Sequence, residues 1–133
     1  MLMDLNILPS KRTPLIDYKF EDDRITISGR SIPENAIDFF NPLFKWADFF
    51  CSDPDRNKLS IDIKLDYFNT SSSKCLIEFF RKMERCSKKG KEVIVNWIYD
   101  REDESMHETG EDFMQIINLP FNIMTTEENI QNK

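Results

Sequence analysis

A chain of 133 residues with 40% hydrophobic and 12% aromatic content is long enough to bury one core and too short for two ordinary domains. Eighteen basic against 24 acidic residues leave a net charge of −6, and no Lys/Arg block is present to track a phosphodiester backbone, which argues against a nucleic-acid partner. There is no run of about 18 apolar residues, and the N-terminus lacks a charged region followed by an apolar stretch, so neither direct membrane insertion nor a signal peptide is expected. Cys51, Cys75 and Cys86 are odd in number and have no C-x-x-C spacing. They read as buried thiols in a reducing cytoplasm, the expected location.

In chain order, residues 1–13 carry Pro9 and read as a loosely ordered lead-in, with order beginning near Pro14. Ile16, Tyr18 and Phe20 alternate with polar residues, Glu21-Asp22-Asp23 is a polar turn, and Ile25 and Ile27 alternate again, which together make a hairpin. A hydroxyl near Ser31, Pro33 and Glu34 are agreeing helix-start signals. In the helix that follows, Ala36, Phe40, Leu43, Ala47 and Phe50 recur at helical spacing. Ile37, Phe39, Phe44, Trp46 and Phe49 fill much of the remaining circumference, more apolar surface than one core face requires. Asn41-Pro42 interrupts it with either a kink or a restart capped by Asn41. Trp46, Phe49 and Phe50 read first as core, with a partner-facing surface as the second reading.

Strand Leu59–Tyr67 places Leu59, Ile61, Ile63, Leu65 and Tyr67 on one face and Ser60, Asp62, Lys64 and Asp66 on the other. It runs into Asn69-Thr70-Ser71-Ser72-Ser73-Lys74, a hydroxyl run that opens a helix with the stripe Cys75, Leu76, Phe79, Phe80, Met83, Cys86, ending at Lys88-Lys89-Gly90. Side chains of Asn, Thr and Ser accept hydrogen bonds from the free N–H groups of a first helical turn. The same N–H groups and the helix dipole favour an anion, so a phosphoryl group on one of these hydroxyls would sit in a favourable field. From spacing alone a structural cap is the plainer reading and a phosphorylation switch the second. Strand Val93–Tyr99, a third helix through Met106, Phe113, Ile116 and Ile117, and a last strand at Phe121–Met124 complete the pattern. The order β-β-α-β-α-β-α-β predicts an α/β fold: a mixed, mostly parallel sheet with an N-terminal antiparallel hairpin and helices mainly on one face, leaving the other face open or partner-covered. The expected organisation is one domain over 14–125 and a polar tail at 126–133.

Other constellations compete for a functional role. The acids Asp100, Glu102, Asp103, Glu104, Glu108, Glu111 and Asp112 read as a helix start complementing the dipole, with a small metal- or ligand-binding domain or enzyme as the alternative. His107 is the only histidine and the cysteines are too dispersed to complete a zinc set. Three glycines supply no phosphate-cradling loop. No cofactor, metal site or catalytic residue is expected.

Several blocks in one order carry a family resemblance: Gly29-Arg30-Ser31-Ile32-Pro33-Glu34, Phe39-Phe40-x-Pro42 with Trp46, Tyr67-Phe68-Asn69-Thr70-Ser71-Ser72-Ser73-Lys74-Cys75-Leu76, Trp97-x-Tyr99-Asp100, Asp103-Glu104-Ser105-Met106 and Gly110-Glu111-Asp112-Phe113. Together, from about Leu15 to Phe121, they resemble the SiaC family of bacterial regulatory phosphoproteins. The resemblance implies a non-enzymatic domain similar to the STAS fold of anti-sigma-factor antagonists, phosphorylated by a cognate protein kinase and dephosphorylated by a PP2C-type phosphatase. In its unphosphorylated form such a protein binds and activates a diguanylate cyclase, controlling cyclic-di-GMP and biofilm behaviour or aggregation. The implied acceptor is Thr70, with Ser71, Ser72 and Ser73 weaker candidates. The expected contact surface is Asn69, Thr70, Ser71, Ser72 and Lys74 together with the exposed part of Phe39, Trp46, Phe49 and Phe50. Ile32 departs from the family pattern, where an aromatic is common.

Overall fold

The alternating and helical patterns above are realised in the computed structural model, which describes residues 4–131. The strands are β1 (Asn6–Ile7), β2 (Leu15–Lys19), β3 (Arg24–Ser31), β4 (Lys58–Phe68), β5 (Glu92–Tyr99) and β6 (Phe121–Thr125); the helices are α1 (Ala36–Ser52), α2 (Thr70–Lys88), α3 (Glu104–Ile116) and α4 (Thr126–Gln131). The six strands lie in the order β1-β2-β3-β4-β5-β6. The first three pair antiparallel and β3 to β6 pair parallel. Parallel neighbours taken in sequential order need crossovers of one hand, so α1, α2 and α3 fall on the same face. That arrangement matches the expected mixed sheet with helices on one side.

Between helices and sheet the strands contribute Ile16, Ile25, Ile27, Ile61, Ile63 and Val95, all without solvent contact. Trp46 and Phe50 stack on one another with ring centroids 5.4 Å apart, and Tyr18 packs on Trp46 at 4.8 Å. A second aromatic cluster joins Phe68, Trp97 and Phe113. Gly110 lets α3 reach this cluster: a Cβ there would stand 2.5 Å from Trp97 Cδ1, while Trp97 Nε1 donates to the Met106 carbonyl at 3.0 Å. The helix continues through Gly110 because close packing offsets its poor propensity.

The opposite sheet face is polar. Asn6, Asp17, Thr26, Asp62, Asn96 and Asn122 stand in register across all six strands. Asn6 donates to Asp17 at 2.7 Å, Asn96 to Asp62 at 2.9 Å and Asn122 to Asn96 at 3.1 Å. Arg24 pairs with Asp62, which is only 3% exposed. These side-chain bonds satisfy polar groups that neighbouring strands partly shield from water.

The structure corrects several local expectations. The lead-in is not loose throughout: Leu5 is buried and Asn6–Ile7 pairs with Asp17 and Ile16, because a β2 edge with free N–H and C=O groups is completed by a further strand. Residues 1–3 lie outside the described residues. The polar tail begins with α4; Thr126 Oγ1 donates to Asp100 at 2.9 Å, and residues 132–133 lie outside the described residues. The first long helix is capped not by Ser31 but by Asn35, whose side chain accepts from Asp38 N at 3.1 Å, since Ser31 is the buried last residue of β3. Asn41 and Pro42 lie inside an unbroken α1, which excludes a restart there. Finally, Cys51 and Cys86 are not dispersed from one another as their sequence positions suggest. Their sulfurs are in disulfide contact with Cα atoms 5.2 Å apart, and Cys75 is the free, buried one.

Candidate functional site

The hydroxyl run sits where β4 hands over to α2 at the C-terminal edge of the sheet. Its geometry begins with a bulge. Gly29 pairs with Leu65 but Arg30 pairs with Tyr67, so Asp66 is an extra residue in β4 and the side-chain alternation reverses beyond it. Phe68, not Tyr67, therefore enters the core against Trp97 and Phe113. Tyr67, expected on the apolar face, is 52% exposed and has the Arg30 guanidinium 6.0 Å from its ring centroid.

Asn69 is the cap of α2: its Oδ1 accepts from Ser72 N at 2.9 Å, and its own N–H donates to the Ser31 carbonyl at 3.0 Å. Thr70 and Ser71 are consequently the first two helical residues, and both are exposed. Their N–H groups are among those an α-helix leaves without an intrahelical acceptor. No carboxylate occupies the first turn of α2, and Lys74 is exposed one helical turn beyond Thr70, where an i, i+4 partner falls on the same face.

Ser72 has a different fate. It is fully buried, shares a 2.7 Å hydroxyl–hydroxyl bond with Ser31 Oγ, and donates to the Ser31 carbonyl at 3.0 Å. Its place among the acceptor and contact candidates is therefore corrected: it pins β3 to the start of α2. The hydroxyls divide in role because successive helical residues turn about 100° apart, so the run cannot present all its members to solvent. Ser73 is half-buried.

The aromatic candidates divide as well. Trp46 and Phe50 have no solvent exposure and are core, which removes them from the expected contact surface. Phe39 is half-buried and Phe49 is 50% exposed. Phe49 stands twelve residues along α1 from Ile37, about 18 Å at the helical rise, whereas Ile37 itself borders the junction. Ile37, 70% exposed, lines a cleft of about 420 Å³ with Ser71, Lys74 and Glu78. Ile37 and Tyr67 are the exposed apolar groups that sequence reasoning did not assign to this surface. The only signal for Ile37 was its position off the core stripe of α1, and Tyr67 had none because the bulge is invisible in the alternation.

The acids at 100–112 disperse. Asp103 caps α3 through Met106 N at 3.0 Å. Asp100 accepts from Thr126 and lies 3.4 Å from Lys64, which together hold its carboxyl below the ordinary aspartate value. Glu111 reaches toward His107 at 3.7 Å. Among the described residues no group of three or more His, Cys, Asp or Glu converges as a metal site, and no helix is long and apolar enough to cross a membrane.

The profile of the SiaC family regulatory phosphoproteins matches residues 7–126. The chain belongs to the SiaC family. An uncharacterized protein of Pseudomonas aeruginosa (strain UCBPP-PA14) is 32% identical over 127 residues, covering 96% of this chain and all of that protein. A chain in the crystal structure of diguanylate cyclase SiaD in complex with its activator SiaC, from Pseudomonas aeruginosa, superposes with a TM-score of 0.86 at 33% identity, over 92% of this chain and 99% of that one. Apo-SiaC from the same organism gives 0.84 at 32% identity, over 92% and 98%. This chain thus has the fold of SiaC, and its bulged β4–α2 junction falls within the matched region.

Proposed function

We propose that this SiaC-family chain is a phosphorylation-dependent binding switch: unmodified, it binds and activates a diguanylate cyclase; phosphorylated at Thr70 by a cognate kinase, it lets go, and a PP2C-type phosphatase resets it. The observation that carries the reading is the exposed Thr70 hydroxyl at the first position of α2, on a junction held by Asn69 and by the buried Ser31–Ser72 pair. Family membership and the complex of the neighbour SiaC with the diguanylate cyclase SiaD support the binding role. Ser71 is the second exposed candidate.

The mechanism follows from charge. Phosphorylation adds about −1.5 to −2 charge to a surface that the unmodified protein presents as neutral hydroxyls. The free N–H groups of α2 accommodate that anion within the protein, so folding persists. A partner that covers Thr70, Ser71, Lys74 and Ile37 must instead desolvate the charge. Unless it supplies Arg or Lys, that cost weakens the complex. The function lies in the difference between those two environments.

The test has two parts. Thr70→Ala and Ser71→Ala proteins are incubated with the kinase; loss of phosphate transfer is expected for Thr70→Ala alone. Unmodified and phosphorylated wild-type protein are then titrated against the cyclase, and equal affinities would refute the mechanism even with Thr70 as the acceptor.

A further inference from the structure

The far ends of α1 and α2 carry a second constellation. Cys51 lies one residue before the end of α1 and Cys86 two before the end of α2, with Cα atoms 5.2 Å apart, inside the roughly 4.4–6.8 Å span that a disulfide bridges without backbone movement. The two thiols differ in access. Cys86 is fully buried and Cys51 is half-buried, opening on a cleft of about 230 Å³ that Lys82, Arg85 and Lys89 also line. Lys82 is paired with Asp48 at 2.9 Å, while Arg85 and Lys89 are exposed. Asp48 lines the same cleft, and of the two sulfurs Cys51 is the one that a reagent from solvent can reach.

We propose that Cys51 and Cys86 form a reversible dithiol–disulfide site whose oxidant is a small anionic disulfide of the glutathione type. Cys51, as the accessible thiolate after giving its proton to water, attacks one sulfur of the small disulfide. The bond between that compound's sulfurs breaks, one half leaves as a thiolate that takes up a proton, and Cys51 holds the other half as a mixed disulfide. Cys86, deprotonated in turn, attacks Cys51 Sγ and expels the second half as a thiol. Two protein thiols are oxidised and one small disulfide is reduced to two thiols. The cations of the cleft draw the carboxylates of the incoming molecule, and the buried neighbour resolves the adduct.

Closure ties α1 to α2 and encloses β4, the Thr70 junction and most of α2 in one covalent loop. Constraining the unfolded chain over a loop of this length is expected to raise the melting temperature by roughly ten degrees. Thr70 itself lies about 24 Å up α2 from Cys86 at the helical rise, so the staple acts on helix packing and leaves the hydroxyl end as it is.

The experiment uses the full chain, reduced, freed of reductant and exposed to glutathione disulfide, with intact mass and melting temperature as readouts. Expected are loss of two hydrogens, the rise in melting temperature, and reversal of both by dithiothreitol. Cys86→Ser should accumulate one glutathione on Cys51, and Cys51→Ser should react far more slowly because Cys75 and Cys86 are buried. Cystamine, a cationic disulfide, should react several-fold more slowly than glutathione disulfide, and Arg85→Gln should narrow that gap. A folded wild-type chain that keeps three free thiols in excess glutathione disulfide would overturn the proposal. An absence of adduct in Cys86→Ser would do the same, and equal rates with cystamine would overturn the anionic class of oxidant.

Discussion

Replacing Ser72 by alanine tests whether the hydroxyl run is divided between structure and signalling as described. Ser72 Oγ shares a bond with Ser31 Oγ at 2.7 Å and donates to the Ser31 carbonyl at 3.0 Å, and neither residue has solvent contact. The substitution removes bonds worth about 0.5–1.5 kcal/mol each and strands Ser31 Oγ in the core, where an unpaired group costs about 1–3 kcal/mol. A loss of about 2 kcal/mol is expected. Asn69→Ala should cost about 0.5–2 kcal/mol as a lost cap. Thr70→Ala should fall within about 0.5 kcal/mol, because Thr70 is exposed, is not the cap, and alanine is at least as good a helix former. The double variant Ser31→Ala/Ser72→Ala should cost less than the sum of the singles, since each single leaves one hydroxyl stranded. Urea unfolding followed by far-UV circular dichroism gives all of these on one scale, provided the slope is unchanged. If Thr70→Ala lost as much as Ser72→Ala, the division of roles would be wrong, and Thr70 would be a structural residue.

Trp46→Ala should cost about 3–5 kcal/mol as a core truncation, whereas Phe49→Ala, half exposed, should stay within about 1 kcal/mol; denaturant midpoints of the two variants separate core from surface on α1. Gly110→Ala drives a Cβ to 2.5 Å from Trp97 Cδ1 and should destabilise by about 1–3 kcal/mol despite the gain in helix propensity, with tryptophan fluorescence reporting the displaced indole. The Asp100 carboxyl titrates below its ordinary value, chiefly through the Thr126 hydroxyl bond and then Lys64. Its contribution to docking α4 is therefore full above about pH 4 and fades as pH falls through the lower folded value. Hydrogen exchange of the 124–128 amides between pH 6 and 3 should follow that loss in the wild type and not in Asp100→Asn. Ile37→Ser should leave stability within about 0.5 kcal/mol, as for an exposed surface change, while weakening cyclase binding in the same titration that compares the phosphoforms.

How much of this molecule is local and how much is not can be judged from particular residues. Period-two alternation in β2 to β5 and the apolar stripe of α2 are local patterns, and they are enough to place the elements, the parallel order and a polar sheet face. Gly90, with φ +107° just past the end of α2, and the run of cap-forming side chains before Cys75 are likewise readable, because cap chemistry acts over a few residues. The strand-to-helix junction follows from that stretch alone, whereas the choice of Thr70 within it comes from the family resemblance.

The tertiary structure decided where each member of the stretch lies. The extra Asp66 in β4 exists only relative to β3, since a bulge is a mismatch between two strands; it turns Tyr67 outward and Phe68 inward. Ser72 is a buried pin because Ser31, forty-one residues earlier in the chain, brings its hydroxyl to meet it. Burial in α1 was ambiguous because apolar side chains surround much of that helix, and only tertiary packing, with Tyr18 on Trp46 and Trp46 on Phe50, put Trp46 and Phe50 in the core and left Ile37 and Phe49 outside. The meeting of Cys51 with Cys86 depends on two helices running side by side. Propensity and periodicity are properties of neighbours in sequence; register, burial and pairing are properties of neighbours in space, and those determine which of several hydroxyls and aromatics a partner can reach.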